Sequence, residues 1–103
     1  MKSLMVVQEL LNKLETSTKP VARVYFKSDQ FKIIFIAFKS GMVLDQHTAA
    51  MQSRLMVLEG QVNYIQEGTT TLLNDHDYID IPPHIIHEVH SLQDSLCMLT
   101  QGH

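Results

Sequence analysis

The sequence predicts an all-β domain preceded by one short helix. Three observations lead there. Apolar residues recur at helical spacing only before residue 16. After Pro20 the chain turns to runs rich in β-branched and aromatic residues. Those runs are short, closely spaced and separated by Gly, Pro, Asn and Asp, the pattern of a β-sandwich or barrel.

Each element follows in order. Leu4, Val7, Leu10, Leu11 and Leu14 share a helical face over residues 3 to 15, with Ser3 as a capping residue. Thr16 to Pro20 ends that helix. Val21 to Lys27 reads as a strand, Ser28-Asp29-Gln30 as a turn, and Phe31 to Phe38 as a second strand. The second strand is apolar at nearly every position, so both of its faces need cover. One face can point into a barrel, and the other calls for a second sheet or a second subunit. A homodimer is expected on that ground. Ser40-Gly41 turns the chain, and further strands are expected around 42–47, 54–59, 61–66, 69–73, 77–81, 85–90 and 95–100. Glu59-Gly60 and Glu67-Gly68 supply turn residues. The 103 residues make one domain, with a helical segment over 1–20 and a barrel over 21–103.

Composition narrows the function classes. The formal charge is −3 and no Lys/Arg cluster occurs, so nucleic acid is not an expected partner. No apolar stretch approaches membrane-spanning length, and charge interrupts the N-terminus too soon for a signal peptide. A cytoplasmic location is the default expectation. Cys97 stands alone, which excludes an internal disulfide, and its apolar neighbours Leu96, Met98 and Leu99 mark it as a buried small hydrophobe.

Two stretches carry a more specific pattern. Gly41, His47 and Gly60 are spaced as in the first cupin motif, G-x5-H-x-H-x3-E-x6-G, but Ala49 stands at its second His and Ser53 at its Glu. Asp77, Pro82, His87 and Ser91 follow the second motif, with His76 and His84 where that motif has Gly and Ser91 where it has Asn. In this the chain resembles the cupins, and most closely small single-domain cupins with an incomplete first motif. The Asp94-Ser95 to Leu99-Thr100 stretch fits the same group. The resemblance implies a double-stranded β-helix, or jelly roll, with metal and substrate sites inside the barrel mouth.

The family pattern places three His and one Glu around a divalent ion, and here two of those four positions changed. Ala49 cannot ligate, and Ser53 is a poor ligand for zinc, iron or nickel. His47 and His87 remain. Strand alternation puts His47 and Ala49 on one face, and the resemblance implies that this face and Ser53 point inward. A third ligand would have to come from Gln52, turned inward by a local bulge, from Asp45, which shares the parity of His47, or from His84 in the mouth loop. One reading is then a metal-dependent oxygenase or isomerase using iron, nickel, manganese or zinc. The other is a small-molecule-binding module. Its pocket would be walled by Met and β-branched residues, with His47 and His87 as its polar groups. His76, His90 and His103 read as solvated surface histidines, and Arg54 and Glu88 as outward-facing residues.

Overall fold

The computed structural model describes residues 2–102. The side chains of Lys2, Ser3, Leu4, Gln46 and His47 lie outside that description, as do Met1 and His103. One helix, α1 (Lys2–Leu14), precedes nine strands. They are β1 (Val21–Lys27), β2 (Phe31–Phe38), β3 (Val43–His47), β4 (Ser53–Glu59), β5 (Val62–Gln66), β6 (Thr69–Leu73), β7 (Tyr78–Ile81), β8 (His87–Ser91) and β9 (Ser95–Gly102). The expected strands are all present, with ends displaced by one or two residues.

The strands form two antiparallel sheets packed face to face. One has the order β1-β2-β9-β4-β7 and the other β3-β8-β5-β6. Period-two alternation decides which side chains lie between them. Ile36 and Phe38 of β2, Leu55 and Val57 of β4, Val62 and Tyr64 of β5, and Val89 of β8 all lie in the inner core. Cys97 is buried there as a small hydrophobe, and desolvation pushes its thiol up to about 12. At that value the thiol stays protonated and inert at neutral pH.

The outer face of β2 is covered from within the chain. Leu10 and Leu14 of α1 are buried against Val21, Phe35 and Ala37, with Val6, Val7 and Ile33 packed around them. Each such leucine contributes roughly 1.5–3 kcal/mol of burial. The cover demanded by the doubly apolar strand is therefore the chain's own helix, so this strand supplies no need for a second subunit. Leu11 departs from the expected face and is 44 % exposed, at the rim of the helix–sheet contact.

Three local devices bring the two motif stretches together. Ser91 is buried, and its hydroxyl donates to the Lys39 carbonyl at 2.6 Å while its backbone N–H donates to the Met42 carbonyl. This ties the end of β8 to the start of β3. Asp77 accepts from the Asn74 N–H at 2.8 Å and so closes the turn between β6 and β7. Asp75 in that turn accepts from the Gly60 N–H at 2.7 Å. β8 begins at His87, two residues later than expected, because Pro82, Pro83 and the left-handed His84 (φ 65°) hold residues 82–86 as a loop.

Candidate functional site

His87 is the first residue of β8, and its side chain is 5 % exposed. Its neighbours by backbone register are His47 on β3 and Gln66 on β5. His87 Nδ1 lies 3.0 Å from the Ile85 carbonyl. A carbonyl can only accept, so Nδ1 is the donor in this contact and carries a proton. One face of the imidazole lies against the Tyr64 ring, with centroids 5.7 Å apart and planes 29° from parallel.

Tyr64 belongs to this site, although its sequence position alone did not mark it. Its hydroxyl donates to Gln66 Oε1 at 2.7 Å, and Gln66 Nε2 donates to Glu67 Oε1 at 3.4 Å. Burial, then the Glu67 charge, raises the Tyr64 phenol above its ordinary value. The available signal was the alternation Val62, Tyr64, Gln66: an inward apolar row that ends on an amide.

The remaining predicted residues are placed as follows. Ser53 is buried on the inward row of β4, as strand parity requires, and its hydroxyl donates to the Met51 carbonyl at 3.3 Å. Ala49 lies beyond the end of β3, not on its inward face, and its carbonyl accepts from the His84 N–H at 2.8 Å. The register of β3 on β8 shifts between Leu44 and His47. That bulge breaks the parity linking Asp45 to position 47. Leu44 packs on the core, and Asp45 is exposed. Gln52 is exposed as well, without the inward turn that a third ligand would need, and its backbone carbonyl accepts from Gly102 N–H. His84 is exposed in the 82–86 loop. The side chain of His47 lies outside the described residues.

Among the described residues, no three His, Cys, Asp or Glu side chains converge on one point. Of the described candidates, Ala49 has no donor, the Ser53 hydroxyl is turned to a backbone carbonyl, and Asp45, Gln52 and His84 are exposed.

Space around His87 is divided unequally. Inside the barrel it borders a void of about 10 Å³ walled by Ile36, Leu44, Leu55, Ile81, Val89 and Leu99. That is room for a single water at most. The expected Met lining is absent there among the described residues, and Met98 packs instead under the outer helix. Toward solvent, His87 borders a cavity of about 320 Å³ with Ile65, Glu67, Gly68, Ile86 and Glu88. A second cavity of about 350 Å³ lies on the other side of the β5–β6 hairpin and includes Tyr64 and Gln66.

The outward residues show one correction. Arg54 is exposed as expected and grips Asp80 through two hydrogen bonds of 2.7 and 3.1 Å, with its guanidinium 4.2 Å from the Tyr78 ring centre. The Arg54 guanidinium holds the Asp80 carboxyl below its usual range. His76 is exposed in its turn. His90 faces out of the core but is only half-solvated. Its Nε2 is buried without a hydrogen bond, although Glu88 Oε1 lies at 3.3 Å.

No family model matches the sequence, and no curated protein does. Solved structures do match. A cupin superfamily protein from Desulfitobacterium hafniense is 15 % identical with a TM-score of 0.77, over 84 % of this chain and 79 % of that one. An RmlC-like cupin from Desulfovibrio desulfuricans is 23 % identical with a TM-score of 0.76, over 82 % of each chain. Salicylate 1,2-dioxygenase from Pseudoaminobacter salicylatoxidans, solved as adducts with gentisate, is 13 % identical with a TM-score of 0.84, over 97 % of this chain and 31 % of that enzyme. With its two antiparallel sheets and short N-terminal helix, the chain has the cupin fold, a small double-stranded β-helix.

Proposed function

We propose that this cupin is a cytoplasmic small-molecule-binding module whose site is the barrel end around His87 and Tyr64. The observation that carries the reading is the state of the two altered ligand positions. Ala49 offers no donor and lies past its strand, and the Ser53 hydroxyl is turned to the Met51 carbonyl. What remains is an oriented imidazole, a buried phenol and an amide beside solvent-reaching cavities of 320 and 350 Å³. Cavities of that size suit small ligands, and a few convergent polar groups give such ligands their orientation. The filled barrel interior supports a ligand that approaches from the end and does not enter the core. A reducing compartment suits the lone unpaired Cys97.

One observation favours the rival reading of a metal-dependent oxygenase or isomerase. His87 Nδ1–H donates to a backbone carbonyl, the outer hydrogen bond that metal-bound histidines commonly make. Elemental analysis of protein purified from cells supplied with iron, nickel, manganese and zinc separates the two. The binding-module reading expects metal well below one equivalent. One tightly held equivalent, lost in His47→Ala or His87→Ala, would replace it with the enzyme reading.

A further inference from the structure

We propose that the cleft between β6 and β7 is a subsite for a neutral, hydroxyl-rich ligand such as a sugar or polyol. This deepens the binding reading above and rests on it. The cleft has a volume of about 350 Å³ and is lined by Tyr64, Gln66, Glu67, Thr69, Thr71, Ile79, Asp80 and Pro82. No Lys, Arg or His is among these residues, and the carboxylate of Asp80 is already held by Arg54.

The hydrogen-bond chain sets what the cleft can offer. Gln66 Nε2 faces the Glu67 carboxylate, which can only accept, so Gln66 Oε1 faces Tyr64 and the phenol must donate to it. With its proton committed to Gln66, the Tyr64 hydroxyl of this buried ring has only acceptor capacity left for a ligand in the cleft that the residue lines. The Glu67 carboxylate adds acceptors at the rim. The hydroxyls of Thr69 and Thr71 can donate or accept. An anionic ligand would meet the Glu67 carboxylate, while the nearby cation, Arg54, is already engaged by Asp80. A ligand hydroxyl can donate to Tyr64 or Glu67 and accept from a threonine, so it matches both kinds of partner.

The backbone adds an independent observation. Glu67 and Gly68 form the two-residue β5–β6 turn, with φ of 49° and 79°. This is a turn in which Asn-Gly is favoured at both central positions. A Glu at the first of them is strained, and this residue borders both cavities. The Tyr64 ring, stacked on His87, connects the cleft to the imidazole.

The test uses titration calorimetry and imidazole NMR on the full chain. The probes are glucose, galactose and maltose as neutral sugars, glucuronate as the matched acid, and putrescine as a diamine. Thr71→Val keeps the side-chain shape and removes the hydroxyl; Gln66→Leu frees the Tyr64 proton. Urea midpoints confirm that both variants fold. A neutral sugar is expected to bind, to shift the His87 ring resonances, and to bind at least about tenfold more tightly than glucuronate or putrescine. Thr71→Val and Gln66→Leu should each weaken it severalfold. Equal or tighter binding of glucuronate or putrescine, unchanged affinity in Thr71→Val, or no sugar binding at millimolar concentration overturns the assignment. If a different small molecule still shifts His87, the binding reading survives that failure. If nothing shifts His87, both fall.

Discussion

The two motif stretches of this barrel have kept opposite halves of the same pattern. The first, residues 41–60, keeps both glycines and has lost two ligands. The second, residues 76–91, keeps its ligand His87 and has lost both glycines, at His76 and His84. Yet the backbone is alike in the two. Gly60 has φ 112°, and His76 and His84 have φ 70° and 65°. A positive φ is thus carried by glycine at one of these positions and by histidine at the other two. Packing then decides whether a side chain is tolerated. A Cβ at Gly60 would lie 2.6 Å from the Asp94 carbonyl oxygen and 2.7 Å from Ser95 Cα, so only glycine fits. His76 and His84 are exposed and have room, and histidine is among the residues that enter this region at moderate cost. Backbone conformation and ligand chemistry have thus separated along the chain.

Gly60→Ala should break this comparison most severely. It combines a strained φ with contacts to rigid backbone and should cost more than about 3 kcal/mol or prevent folding. Urea denaturation measures it, and a loss under 1 kcal/mol would show that the strand end can yield. The reverse exchange sharpens the same point. His84→Gly and His76→Gly relieve left-handed strain and should raise stability by up to about 1 kcal/mol each, less the entropy that glycine loses on folding. His84→Ala keeps the strain and should bring no gain. Equal urea midpoints for the glycine and alanine variants would show that the histidine rings stabilise these turns.

The smallest effect concerns the outward pair beside the second motif. Arg54 lowers the Asp80 carboxyl in the folded state. A depressed folded value means stabilisation that is present above the unfolded value, near 3.8, and fades as pH falls through the lower folded one. Both side chains are half exposed, so the contribution is small and screened by salt. Asp80→Asn should flatten the melting temperature against pH below pH 4 and leave the slope above pH 5 unchanged. An unaltered acid limb would mean that the pair contributes nothing to folding.

Much of the barrel was legible because strand parity and turn residues are local properties. Ser53 was expected inward, and the structure buries it on one row with Leu55 and Val57. The candidate third ligands were less legible, for equally physical reasons. Asp45 depended on an unbroken count of two, and one extra residue between Leu44 and His47 inverts that count. Ala49 and Gln52 were assigned by extending strands that in fact end at His47 and begin at Ser53. Tyr64 and Gln66 escaped because an inward tyrosine reads as core until its hydroxyl partner is seen.

By itself the sequence determined the strands, most of the turns, the helix and the burial of its Leu10 and Leu14, and the gaps at Ala49 and Ser53. These depend on residue type and spacing of two or 3.6, which need no knowledge of distant segments. Only the tertiary structure decided that α1 covers the outer face of β2, that the void inside the barrel beside His87 is only about 10 Å³, and that His87 meets Tyr64. Those facts depend on packing between residues far apart in the chain, where volume and register, and not local pattern, set the outcome.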